Sequence, residues 1–178
     1  GLRALDAALA TSPTPESYTA QVTGQNNGTG LALEEIYDAT AGVPTATTPR
    51  LTNVSARTQV GTGSNVLIAG FTVGGSTART VLIRAVGPTL EAFGVGGFLG
   101  DPRLELYTGN TVLQANDNWG GDQQLANMAA GVGAFALGGP GSRDAVMLVT
   151  LPPGGYTAQV SGVGGATGVA LVELYEVP

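Results

Sequence analysis

A chain of 178 residues, 43% of them hydrophobic, can bury one core of ordinary size and carry an extension besides, which excludes wholesale disorder. Charge is sparse at 11% with a balance of −6, and the seven cations are all Arg, so no basic stripe exists for nucleic acid; no run of about 18 apolar residues exists for membrane insertion. The absence of His, Cys and Lys excludes Ser-His-Asp and Cys-His nucleophiles, ordinary zinc sites, Schiff bases and phosphate-binding P-loops.

In chain order, the start "GLRALDAALA" lacks the charged and long apolar regions of an uncleaved signal peptide. The next stretch, "YTAQVTGQNNGTGLALEEIYD" from Tyr18, returns near the end as "YTAQVSGVGGATGVALVELYE" from Tyr156. Residues 15–38 lie over 153–176 without a gap, and the match runs back to Asp6 over Asp144. Residues 1–38 therefore read as the closing strands of a unit whose beginning is missing. Their apolar positions, Tyr18, Ala20, Val22, Leu31, Leu33, Ile36 and Tyr37, are an expected assembly surface, because strands without partners leave backbone groups and an apolar face unsatisfied. One difference is informative: Glu34 stands where the second copy has Val172, so the two copies meet different surroundings on that face.

Residues 39–49, "TAGVPTATTP" in their main part, form a Thr- and Pro-rich linker, and 50–178 read as one complete unit. Within it, "LTNVSARTQV" alternates weakly. The runs "NVLIAGFTV" (65–73) and "RTVLIRAVG" (79–87) read as buried central strands joined by a hairpin at "GGST". "RLELYTG" and "TVLQAND" predict a hairpin around Gly109-Asn110. "DQQLANMAAG" (122–131) has helical spacing, with Asp122 as its N-cap. "DAVMLVTL", "GYTAQVSG" and "GVALVELYEV" give three closing strands, with Tyr156, Ala158 and Val160 inward. Tyr107 and Tyr175 are also expected to face inward. The fold class expected is all-β, an antiparallel, jelly-roll-like β-sandwich with at most one short helix.

"LTNVSARTQVGTGSNVLIAGFTVGG", "TVLIRAVGPTLEAFGV", "DPRLELY", "ANDNWGG" and "LPPGGYTAQVSGVGGATGVALVELYE" resemble a repeat of large secreted proteins of environmental bacteria such as Verrucomicrobia and Acidobacteria. The closing strands are more loosely similar to bacterial pre-peptidase C-terminal domains, small β-sandwich appendages of secreted proteins. The resemblance implies a secreted or cell-surface β-rich module and carries no catalytic residues to transfer.

Candidate chemistry is thin, and the chain is read as no enzyme. Asn116, Asp117, Asn118 and Asp122 offer hard oxygen ligands around Gly120-Gly121, which suits calcium; an Asx-rich turn capping a helix accounts for the same residues. No other cofactor is expected. Trp119 either stacks on a sugar or anchors its loop on the core. Arg84, inside an apolar strand, calls for a carboxylate or carbonyl partner, of structural purpose. The expected function is self-assembly, head-to-tail through strand or sheet contacts, into an extracellular filament or surface layer, with the chain itself as partner. The alternative is a monomeric adhesive or carbohydrate-binding module stabilised by calcium.

Overall fold

In the computed structural model, residues 7–39, 45, 48 and 50–178 are described. The chain divides into two units, Gly1–Leu51 and Thr52–Pro178. Most of the expected linker lies outside the described residues, as does Asp6.

The second unit is an antiparallel β-sandwich with one short helix. Its elements are β1 (Asn53–Val60), β2 (Leu67–Val73), β3 (Arg79–Val86), β4 (Pro102–Thr108), β5 (Thr111–Asn116), α1 (Gln123–Gly131), β6 (Ala145–Leu151), β7 (Gly154–Gly162) and β8 (Gly168–Val177). One sheet has the order β1-β8-β3-β6, the other β2-β7-β4-β5. The repeated strands thus sit inside both sheets: β8 between β1 and β3, β7 between β2 and β4.

Only β4 and β5, of strands adjacent in sequence, pair as a hairpin, around Gly109-Asn110 as the turn residues predict. The hairpin expected at "GGST" does not form. β2 pairs with β7 and β3 with β6 and β8, so the Gly-rich link crosses from one sheet to the other. Nor is β2 central. It is an edge strand whose side chains alternate, Leu67 and Val73 buried and Ile68 exposed. β3 is central, and residues 81–86 are buried on both faces, which is why it reads as a continuous apolar run.

Two apolar clusters account for that burial. Between the sheets lie Ile83, Ala85, Leu104, Leu106, Met147, Ala158, Val160, Val172 and Leu174, with Tyr156 stacked on Phe71 at 5.6 Å. On the outer face of the β8–β3–β6 sheet, Leu82, Val146 and Tyr175 are covered by Ala129 of α1 and by Ala134, with Trp119, Leu125 and Leu137 packed around them. Tyr175 is therefore buried, though it points away from the inter-sheet core. Tyr107 also departs from expectation: it alternates with the buried Leu104 and Leu106, so it stands on the outward face of its sheet.

Two polar devices hold these layers. Arg84, fully buried, opposes Glu173 in register, with Nη2 2.9 Å from Oε2. That approach is an ion-pair contact without hydrogen-bond alignment, and Nε has no acceptor. Nη1 donates to the Phe135 carbonyl at 2.7 Å, and the guanidinium lies 4.4 Å from the Phe135 ring centre. Asp144, also fully buried, accepts from the Gly87 and Thr89 amides and from the hydroxyls of Thr89 and Ser142. It ties the 3-10 turn Pro88–Phe93 to the start of β6.

Among the described residues of the first unit no strand forms; the one regular element is a 3-10 turn, Gln25–Asn27.

Candidate functional site

The first unit keeps the local structure of its second copy at three points. Tyr18 Oη donates to the Thr14 carbonyl at 2.9 Å, as Tyr156 Oη donates to the Pro152 carbonyl at 2.8 Å. The 3-10 turn Gln25–Asn27 falls on the turn Val163–Gly165 that carries β7 across to β8. Both turns hold two consecutive left-handed residues, Asn26 and Asn27 (φ 53° and 60°) against Gly164 and Gly165 (65° and 78°). Asn is among the few non-glycine residues that adopt this conformation readily. Both turns also open on a glycine, Gly24 and Gly162, where a Cβ would collide with the carbonyl oxygen of Gly28 or Ala166. Third, Tyr37 Oη donates to Glu35 Oε1 at 2.8 Å, as Tyr175 Oη donates to Glu173 Oε1 at 2.7 Å. That hydrogen bond is the first cause that raises the Tyr37 pKa. For Tyr175, burial comes first and holds it far above the usual tyrosine value.

What differs is what covers these groups. Tyr18 is 60% exposed where Tyr156 is 8%, Val22 58% where Val160 is 0%, and Tyr37 78% where Tyr175 is 8%. Leu31, Leu33 and Ile36 are exposed large apolar residues, and Ala20 is exposed as well. The seven positions expected to form an assembly surface are thus all exposed.

The second unit offers two open ends between its sheets. At one, β1 and β2 are the outermost strands. Val54, Ala56 and Thr58 of β1 share a face with the buried Val60 and yet are exposed. At the other, β5 and β6 are outermost and leave an open apolar groove of about 600 Å³ lined by Leu106, Leu113, Val149, Leu151 and Tyr156.

The remaining candidates have structural employment. Asp122 caps α1, its Oδ1 accepting from the Gln124 and Leu125 amides at 2.7 and 3.1 Å. Asn116 accepts from the Val146 amide and donates to the Asn118 carbonyl, while Asn118 donates to Asp117. Trp119 is half-buried against the cluster beneath α1 and lines a cavity of about 140 Å³ there. Among the described residues no three Asp, Glu, His or Cys side chains come together as a metal-holding group. No helix among them is long and apolar enough to cross a membrane.

No protein-family model matches the chain, and no curated protein matches it. Among solved structures it is similar to the pre-peptidase C-terminal domain of a collagenase from Bacillus anthracis. The TM-score is 0.41 and the identity 13%, over 69% of this chain and 89% of that one. The chain carries an antiparallel β-sandwich module of two four-stranded sheets.

Proposed function

We propose that this chain is a structural, non-catalytic component of a secreted, cell-surface protein, and that it assembles head-to-tail into an extracellular filament or layer. Residues 16–38 of one molecule complete their strands on the sandwich of the next. A contact of this kind joins two different surfaces and therefore does not close on itself. The observation that carries the reading is the mismatch within the first unit. Its Tyr corner, its left-handed turn and its Glu–Tyr pair match β7 and β8, while its apolar side chains stand in water without strand partners. Each such side chain contributes about 1.5–3 kcal/mol when buried, and each strand edge gains main-chain hydrogen bonds. No active site is required.

Electron microscopy of the purified chain tests the proposal. The full chain is expected to form threads or sheets, and a chain lacking residues 1–40 to give isolated particles with an undiminished thermal transition. Threads from the shortened chain would contradict it.

A further inference from the structure

We propose that the surface which receives residues 16–38 is the free double edge of β1 and β2 in a second copy of the chain, with Arg57 of that copy as the partner of Glu35. This rests on the head-to-tail reading above and names the face on which it happens.

Direction and spacing favour this edge. The resident β8 runs antiparallel to β1 and the resident β7 antiparallel to β2. Among the described residues, β1 and β2 have no strand on their other sides. A second strand pair laid across them in the resident orientation is antiparallel to both at once. Its side chains keep the same inward and outward alternation as β7 and β8. The turn Gln25–Asn27 already has the conformation of Val163–Gly165, so in the added pair it would span the gap between sheets as the resident turn does. The opposite edge lacks this match. Neither β5 nor β6 pairs with β7 or β8, and a register shift between Leu106 and Tyr107 disturbs the β4–β5 ladder.

The side chains agree as well. The exposed Val54 and Ala56 of β1, with the half-buried Ala69 and Phe71 of β2, are an apolar mouth that Ala20, Val22, Ala32 and Ile36 would close. Glu34 then explains itself. Its counterpart Val172 is fully buried between Ala56 and Ala85, so an incoming segment that displaced β8 would bury a carboxylate in the core. On a strand added outside β1 the same carboxylate falls across from the exposed Ala56, on the outermost strand of the sandwich, where water still reaches it. The segment is therefore suited to adding to a complete sandwich and unsuited to replacing strands in one.

Glu35 supplies the polar contact. Its Oε1 holds Tyr37, as Glu173 holds Tyr175, and in β8 the second oxygen of that acid goes to Arg84. On β1 the cation on the corresponding outward face is Arg57, which is exposed and has no ion pair among the described residues. In the resident register Ser55 lies across from Glu173 and Arg57 across from Leu171. An added strand in that register puts Glu35 one diagonal from Arg57, within reach of so long a side chain.

Sedimentation velocity of full-length variants tests the assignment. Arg57→Glu and Glu35→Arg are each expected to weaken association at least about tenfold, from like charges set side by side, and the double exchange to restore it. Both positions are exposed, so thermal unfolding should be unchanged. If Arg57→Glu associates like the parent while removal of residues 1–40 stops association, the β1–β2 assignment is overturned and head-to-tail assembly stands. Loss of association by Leu113→Arg in place of Arg57→Glu would move the site to the β5–β6 edge. If the parent is monomeric at every concentration, or the shortened chain associates normally, the assembly reading itself fails.

Discussion

Arg84→Met is expected to cost the sandwich about 3–5 kcal/mol, the usual loss when one member of a buried ion pair is removed. Arg84 is fully buried, and its removal leaves three things behind: the Glu173 carboxylate at 4% exposure without a counter-charge, the Phe135 carbonyl without its donor, and the Phe135 ring without its cation. The charge left on Glu173 is the largest of these. Arg84→Met/Glu173→Gln removes it and keeps an amide oxygen for the Tyr175 hydroxyl, so the double variant should recover most of the loss, to within about 2 kcal/mol of the parent. Urea denaturation followed by fluorescence of Trp119 suits the purpose, since this Trp packs in the same cluster as Tyr175. A loss below about 1 kcal/mol for the single variant would refute the argument, as would a double variant no better than the single.

Three other expectations follow from the same contacts. Asp144→Ala leaves two amides and two hydroxyls without their buried acceptor and should cost about 3 kcal/mol or more, measured by the same denaturation. Tyr175 is held neutral by burial and then by its bond to Glu173. Its folded pKa lies above the usual tyrosine value of 10.0, so the stability it contributes is intact below pH 10 and declines as pH rises beyond it. Tyrosinate absorbance in an alkaline titration should therefore show Tyr175 ionising only with unfolding, and Tyr175→Phe should remove one tyrosine's worth of that step. Because Asp122 and Asn116 already spend oxygens on α1 and β6, calcium and chelator should leave the melting temperature unchanged. Asp122→Ala should cost about 1 kcal/mol with or without calcium, as expected of a lost N-cap. A calcium-dependent rise that disappears in Asp122→Ala would instead make the turn an ion site.

How far the sequence foretold this structure varied with how local each signal was. The β4–β5 hairpin, the Asp122 cap and the inward set Tyr156, Ala158 and Val160 are decided within a few residues by turn chemistry and alternation, and they stand where expected. Sheet membership is decided elsewhere. "GGST" is equally good as a hairpin or as a passage between sheets, and only the partners β7 and β8, some eighty residues on, make it the latter. Tyr107 could not be oriented until Leu104 and Leu106 were known to face the core. The repeat itself was plain in the sequence, but not that its copied strands lie inside both sheets. That location is what makes β1 and β2 the natural neighbours of a further pair. Glu34 was visible as a departure; its meaning needed the burial of Val172. Arg57 gave no sign at all, being one arginine in a weakly alternating strand.

Amide hydrogen exchange on the intact chain, dilute and assembled, bears most directly on the central claim. The account predicts that residues 18–23 and 31–37 exchange freely in dilute chain and become protected on assembly, together with the amides of β1 and β2 that face away from their resident partners. Assembly with the first unit still freely exchanging, or protection already complete in the monomer, would contradict it.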